Sequence, residues 1–335
     1  MKRILHVGVG PLGHRIIAEL QERSLGHVIA AVDSAPHLAG RPLAEIVSNA
    51  DPKVRIVPSL DAVHDWDHID AAIVATSSGL PACTSTFEYL LRKGTAVIST
   101  CEELVYPWLR HVAIAEELDD LAKRHGGRLL GTGVNPGFLM DALPAFLTSV
   151  CRHVKAVSCH RIQDASSRRI PFQKKIGAGL DDAQFAAKVA EGSLRHVGLG
   201  ESLHFIAHYV GLPIERWEEN IEAVKADHDL NCGLGPIPKG KCCGVRQVAR
   251  GYFDERVVVN LEFQASIGQR DPHDRVTIHG EPDIDVVIPG GVHGDIATSA
   301  IVANSIPRLL QAPPGLHTMA TIAPPIHVRA GTERR

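Results

Sequence analysis

The chain has 335 residues, enough for about two domains at roughly 150 residues each and for sizeable buried cores. Hydrophobic residues at 44% and charged residues at 22% make an ordinary globular composition, which argues against a disordered chain. Lys and Arg number 35 against 38 Asp and Glu, so the formal charge of -3 supplies no global basic field for nucleic acid or an anionic membrane.

No apolar run reaches the roughly 18–20 residues of a spanning helix. The opening MKRILHVGVGPLG joins a charged end to an apolar stretch, but Gly8, Gly10, Pro11 and Gly13 interrupt it and no small-residue cleavage site follows, which argues against a signal peptide. The cysteines number seven and include no C-x-x-C pair, the usage expected of reduced thiols in a cytoplasmic protein.

Arg3–Val9 reads as a first strand, and Pro11 opens a helix that carries Ile16, Ile17 and Leu20 at helical spacing. His27–Asp33 is a second strand, Val54–Pro58 a short third, and Ala71–Thr76 a continuously apolar fourth. A helix across Phe87–Arg92 ends at Lys93-Gly94, Ala96–Thr100 is a fifth strand, and a helix over Trp108–His125 is closed by Gly126-Gly127. Arg128–Gly133 is the sixth strand. Alternation of this kind predicts an α/β fold, a Rossmann doubly wound parallel sheet.

Beyond GTGVNPGF the pattern changes: Val154–Gln163 is a longer strand, Asp164–Lys175 is polar, and helices follow at Ala183–Glu191 and Ser202–Val210. Gly244–Ile288 alternates in the strand manner, which predicts a second α+β domain for substrate or dimerisation. Ile296–Leu310 is an apolar helix stopped by Pro313-Pro314 and is expected to pack back on the first domain. The predicted division is a dinucleotide-binding domain, 1–134 completed by 295–335, and a substrate-binding and dimerisation domain, 135–294.

Gly8-Val9-Gly10-Pro11-Leu12-Gly13 is G-x-G-x-x-G between the first strand and its helix. In such a turn the first glycine permits the tight bend, the second lets backbone approach a pyrophosphate, and the third brings helix and strand together. Asp33 follows at the end of the second strand, 20 residues beyond Gly13, where a carboxylate meets an adenosine ribose. Together these predict NAD or NADP as cofactor. Asp33 followed by Ser34 leans towards NAD, while Arg41 keeps NADP open. Thr76-Ser77-Ser78 ends the fourth strand and either faces the cofactor or caps the next helix.

The fifth strand runs into Cys101-Glu102-Glu103, where a partly desolvated carboxylate could exchange protons with a substrate; the same acids also suit the first turn of a helix. In the loop 131–137 the Asn135 amide could bond a carboxamide, or the segment could serve as a hinge. Arg168, Arg169, Lys174 and Lys175 form a local basic patch, either a solvated loop or an anion contact. His204 and His208 stand at metal-ligand spacing with no evident third ligand, and Cys242-Cys243 reads as a pair of strand residues, so no metal is expected.

TCEELVYPW at 100–108, GTGVNPGFLMD at 131–141 and GVHGDIATSAIVANSIPRLLQAPPGLHTM at 291–319 together resemble 2,4-diaminopentanoate dehydrogenase and the related native amine dehydrogenases, over nearly the whole chain. The amino-terminal half of that family is similar to dihydrodipicolinate reductase. The resemblance implies an NAD(P)-dependent amine dehydrogenase: oxidative deamination of an amine, and reductive amination of a ketone or aldehyde with ammonia, in a homodimer. It implies an acid/base glutamate at Glu102, with Glu103 the other choice, Asn135 beside the nicotinamide, and Val134, Leu139 and Ala142 around the substrate. For a diamino acid substrate, Arg161, Arg168 or Arg169 would meet the carboxylate. The other readings are 2,4-diaminopentanoate dehydrogenase proper and, from a different class, a dinucleotide-binding sensor without turnover.

Overall fold

The computed structural model describes residues 1–329, so the last six residues of the predicted first domain lie outside the described residues. The chain forms two compact units, Met1–Phe138 together with His293 onward, and Leu139–Val292.

The first unit begins with β1 (Lys2–Val7), α1 (Pro11–Glu22), β2 (Gly26–Val32), β3 (Ile56–Val57), β4 (Ala71–Val74), α2 (Leu80–Arg92), β5 (Ala96–Ser99), α3 (Val112–His125) and β6 (Arg128–Gly131). The second contains α4 (Ala142–Leu147), β7 (His153–Asp164), α5 (Ile170–Lys175), α6 (Asp182–Ala190), α7 (Leu199–Val210), β8 (Arg216–Lys225), β9 (Leu230–Cys232), β10 (Gly235–Ile237), β11 (Cys242–Phe253), β12 (Arg256–Ser266), β13 (His273–Glu281) and β14 (Ile284–Pro289). The chain then returns to the first unit with α8 (Gly294–Leu309) and β15 (Gly315–His317).

The first unit is built on a 7-stranded sheet in the order β15-β6-β5-β4-β1-β2-β3, parallel at every pairing. Strand order reverses between β1 and β4, and this is the crevice where doubly wound sheets take ligands. β4 and β5 are buried along their whole length, because helices cover both faces and solvent reaches neither. On one face Leu5, Val7, Val74, Val97 and Leu129 pack with Leu80, Phe87 and Leu118 of α2 and α3. α8 packs along α1.

The sheet has one strand more than the sequence suggests. β15 is only Gly-Leu-His, too short to show a period, and forms by pairing with β6. α3 begins at Val112 rather than Trp108, since Pro107–Leu109 makes a separate 3-10 turn. α2 begins at Leu80, well before Phe87, with Pro81 in its first turn where a missing N–H costs nothing.

The second unit carries a 6-stranded sheet in the order β14-β13-β7-β12-β11-β8. β7 and β12 run parallel, and the other pairs are antiparallel. α4, α6 and α7 pack on this sheet, and a core gathers Phe185, Leu194, Val245, Phe263 and Ala265. β8 is absent from the sequence reading. Its segment WEENIEA is rich in residues that favour helices, and it is an edge strand with alternate residues exposed, held by pairing with β11. The polar stretch before α6 is ordered from within: buried Gln173 donates to the carbonyls of Ala165, Ser166 and Arg168 and accepts from Gly233 N–H. Among the described residues no helix is long and apolar enough to cross a membrane.

Candidate functional site

The glycine turn closes the end of β1. Gly8 has φ +94, and its N–H donates to the Val32 carbonyl at 2.8 Å. A Cβ on Gly8 would stand 2.5 Å from the Ala75 carbonyl oxygen, and one on Gly13 only 2.1 Å from the Gly8 oxygen. Both glycines are therefore required by the protein's own packing, where β1 meets the end of β4 and α1 meets the turn. Gly10 differs, because a Cβ there would meet nothing within 4 Å. Gly10 is the N-cap of α1, makes no side-chain cap bond, and is followed by Pro11 and Leu12. The space over the first turn of a 12-residue helix is thus kept open. Its backbone donors and dipole favour an anion there.

Asp33, just past β2, ties this turn to the second strand. Its Oδ2 accepts from Val9 N–H at 2.7 Å and its Oδ1 from Ala35 N–H at 2.9 Å. Gly8, Asp33, Ser34, Asp61, Thr76 and Tyr89 border one cleft of about 470 Å³. No lysine or arginine stands among its described lining residues. Arg41 instead pairs with Glu45 at 3.2 Å, and Arg55 donates to the Gly40 carbonyl. The open approach at Gly10 and the acidic cleft bordered by Gly8, Asp33 and Asp61 fit a nicotinamide dinucleotide.

Ser77 does not cap α2; its Oγ accepts from Gly79 N–H at 3.3 Å. The cap comes from across the sheet edge. The Glu103 carboxylate accepts from Leu80 N–H at 2.8 Å and lies 2.9 Å from His111 Nε2. Glu102 heads the 3-10 turn Glu102–Val105 after β5 and is half-buried. This turn is held by Ser99, whose hydroxyl donates to the Val74 carbonyl and accepts from Cys101 N–H, both at 3.0 Å. Glu103 is therefore committed to α2 and His111.

The loop after β6 folds back on itself. Gly137 has φ +122, and a Cβ there would fall 2.4 Å from the Gly133 nitrogen. Val134 is buried, with its N–H donating to Thr298 Oγ1 of α8 at 3.2 Å, and Asn135 is half-buried beside it. Thr298, which holds this loop through its hydroxyl, was not singled out from the sequence, although it lies inside the 291–319 motif.

In the second unit, Leu139 is buried and borders a cavity of about 10 Å³, room for little more than a water. Ala142 opens α4 and donates its N–H to Asp141 Oδ1 at 2.6 Å. Arg161 is buried in an ion pair: Nη1 lies 2.8 Å from Asp274 Oδ1, and Nη2 donates to the Val292 carbonyl at 3.1 Å. Its charge is already compensated inside the fold. Arg168 lies over the Phe172 ring at 4.2 Å, and Lys174 and Lys175 sit in the last turn of α5. His204 bonds the Gly200 carbonyl and abuts Trp217, and His208 abuts Tyr209. Among the described residues no three His, Cys, Asp or Glu side chains gather as a metal site, and the seven cysteines are free.

Residues 138–334 match the model of the 2,4-diaminopentanoate dehydrogenase C-terminal domain. The chain is 28% identical over 331 residues to a 2,4-diaminopentanoate dehydrogenase of Acetoanaerobium sticklandii, covering 96% of this chain and 94% of that one. It is 21% identical to an amine dehydrogenase of Streptomyces virginiae, covering 92% and 93% of the two chains. Among solved structures, an amine dehydrogenase from Mycobacterium smegmatis superposes with a TM-score of 0.84 at 21% identity, over 98% of this chain and 97% of that one. A dihydrodipicolinate reductase from Paenisporosarcina sp. TG-14 shares the fold at a TM-score of 0.52 and 10% identity, over 95% and 98%. With more than half its length matched by the domain model, this chain belongs to the 2,4-diaminopentanoate dehydrogenase family.

Proposed function

We propose that the chain is an NAD(P)-dependent amine dehydrogenase that interconverts an aliphatic amine with a ketone or aldehyde and ammonia, with Glu102 as its acid and base. The observation that supports the residue assignment is the engagement of Glu103 by Leu80 N–H and His111, which holds it to the head of α2, while Glu102 heads the turn that follows β5 at the carboxyl edge of the sheet. Gly8, Gly10, Pro11, Leu12, Gly13, Asp33, Ser34, Thr76, Ser77 and Asn135 would hold the dinucleotide, which supplies the hydride acceptor in one direction and the donor in the other.

An alkylammonium has no lone pair to assist hydride loss, so the Glu102 carboxylate first takes a proton from nitrogen. Loss of hydride from the adjacent carbon leaves a protonated imine. Glu102 releases its first proton to solvent, and water then adds at that carbon while the Glu102 carboxylate removes a water proton, giving a carbinolamine. Glu102 then returns that proton to nitrogen, which departs as ammonia while the hydroxyl proton passes to it as the carbonyl forms, giving ammonium. One alkylammonium, one water and the oxidised cofactor thus yield carbonyl, ammonium, the reduced cofactor and one proton. Positioned proton transfer of this kind contributes on the order of 10²–10⁴ in rate.

The cofactor preferred is NAD, since Asp33 and Asp61 border the recess that a 2′-phosphate would enter and no cation among the described lining residues offsets them. A simple amine is favoured over a diamino acid because Arg161, one candidate partner for a carboxylate, is engaged by Asp274. The assembly is a homodimer, to be checked by light scattering on the eluting species. The deciding experiment follows NADH oxidation with a panel of carbonyls under high ammonium, and compares simple alkylamines with 2,4-diaminopentanoate in reverse. Glu102→Gln should lose turnover and retain NADH binding. NADH binding without ammonium-dependent oxidation of any substrate would overturn the reading and favour a sensor.

A further inference from the structure

Ser99 is the last residue of β5, and its hydroxyl is buried at 1% exposure. A buried hydroxyl is costly unless it is bonded. Val74–Ser99 is the last pair of the β4–β5 ladder, and the Val74 carbonyl there accepts from both Ser99 Oγ at 3.0 Å and Thr100 N–H at 3.1 Å. Cys101 N–H lies beyond that ladder in an equally buried residue, and Ser99 Oγ is its acceptor. The Ser99 carbonyl in turn accepts from Thr132 N–H at 2.9 Å, just past β6. One serine therefore joins the carboxyl ends of β4, β5 and β6 to the point where the chain turns into Glu102.

The far end of that turn has a support of its own. A Cβ on Gly131 would fall 2.6 Å from the Leu104 carbonyl carbon, 2.7 Å from its oxygen and 2.8 Å from the Val105 nitrogen. Gly131 is not among the glycines of positive φ, so its missing side chain answers to this close approach of backbone and not to a strained bend. Between the two ends, Glu103 N–H donates to the Ser78 carbonyl at 3.1 Å. The 3-10 turn Glu102–Val105 is thus fixed at entry, middle and exit, while its own N-cap, Cys101, supplies no side-chain bond. So short a turn does not hold itself in place, and its position is dictated by the sheet.

We propose that Ser99 and Gly131 are positioning residues for the amine–carbonyl reaction, a hydroxyl and a bare Cα that seat this turn and so set where the Glu102 carboxylate can reach. Both act on Glu102 through backbone alone. The requirement is geometric. Proton transfer needs heavy atoms about 2.6–3.2 Å apart, and a misplacement of about 1 Å costs on the order of a hundredfold in rate. A glutamate side chain is long and flexible, so a carboxylate returns to one place only when the backbone beneath it is held. Without the Ser99 hydroxyl, Cys101 N–H is left buried with no acceptor, and the turn must shift to find one. The catalytic part of this inference rests on Glu102 as acid and base; the seating of the turn does not.

The test uses the full-length protein and the variants Ser99→Ala, Ser99→Thr and Gly131→Ala, with circular dichroism to confirm that each folds. Hydrogen exchange across 101–105, read by mass spectrometry, reports the seat without any turnover. It should quicken about tenfold or more in Ser99→Ala and Gly131→Ala, and stay near the parent rate in Ser99→Thr, which keeps the hydroxyl. In the same two variants kcat for ammonium-dependent NADH oxidation should fall about ten- to a hundredfold, with NADH affinity held within about twofold. Ser99→Thr should recover most of that kcat. Parental exchange and parental kcat in Ser99→Ala would overturn the proposal. So would faster exchange with kcat unchanged, which would leave Ser99 a strut of the sheet and nothing more. A parent protein with no ammonium-dependent turnover would overturn the amine dehydrogenase reading instead, and exchange would then decide the seat by itself.

Discussion

Arg161→Met separates a structural strut from a substrate contact. The Arg161 and Asp274 side chains are 2% and 5% exposed. Around them Val292 N–H donates to Asp274 Oδ2 at 2.8 Å, and Gln163 Nε2 reaches the Val292 carbonyl at 3.2 Å. The pair thus clamps both backbone groups of Val292, with which the second unit ends. Methionine preserves the bulk of the side chain, removes the charge and leaves Asp274 buried opposite nothing. Breaking a buried pair by removing one partner costs about 3–5 kcal/mol. For a unit of this size that corresponds to a fall of roughly 6–20 °C in Tm, at about 2–4 °C per kcal/mol. Thermal unfolding followed by circular dichroism is the assay. Asp274→Leu alone should cost a similar amount, because it strands a buried guanidinium. The double variant should recover a large part of the loss without reaching the parent, since Val292 N–H still lacks its acceptor. An unchanged Tm for Arg161→Met, with a raised KM confined to carboxylate-bearing amines, would refute the strut and restore Arg161 as a substrate contact.

The glycine turn gives a second test. Gly10→Ala meets open space in the protein, so Tm should hold within about 1 kcal/mol of stability while NADH affinity, read by fluorescence titration, drops at least tenfold. Gly8→Ala should instead destabilise by about 2 kcal/mol or more, through positive φ and its contact with Ala75, whatever its effect on NADH. Glu103→Ala strands Leu80 N–H and His111 and should cost roughly 1–3 kcal/mol in urea unfolding with a modest fall in kcat, whereas Glu102→Ala should abolish kcat. Acid sensitivity is also expected. His6 is lowered to about 3 by burial and then by His14, and His196 to about 3 by burial and then by Lys175 and Arg161. Between about pH 3 and 6.5 the unfolded chain binds protons that these folded histidines refuse, so stability falls as pH falls. The slope should be on the order of 1.4 kcal/mol per pH unit per histidine, and His196→Phe should flatten it. An unchanged slope in that variant would place the acid sensitivity elsewhere.

What could be read from the sequence was local. The G-x-G-x-x-G turn is defined by residues in contact along a single strand–turn–helix, so glycines and element type appear together in a short window. β4 and β5 were legible because burial on both faces selects unbroken apolar runs. β15 and β8 were not. One is too short for any period, and the other takes its conformation from a neighbour against the preference of its own residues. The charge of Arg161 in β7 is visible in the sequence, but its partner Asp274 is 113 positions away, so a buried strut and a ligand contact look alike.

The same limit governs the adjacent acids, and it shows why the candidate site depends on long-range bonds. In sequence Glu102 and Glu103 are near-equivalent, since both follow β5 and both suit a helical first turn. They are distinguished by an N–H donated from Leu80, 23 positions earlier, at the head of a helix with no cap of its own. α2 takes its cap from Glu103, and His111 engages the same carboxylate oxygen. The stability of α2 and the assignment of the proton carrier are therefore one question. If an Asn or Ser placed at position 79 to cap α2 restored stability to Glu103→Ala without moving kcat, Glu103 would be structural alone. If kcat rose in step with stability, Glu103 would also be positioning its neighbour, through the 3-10 turn they share.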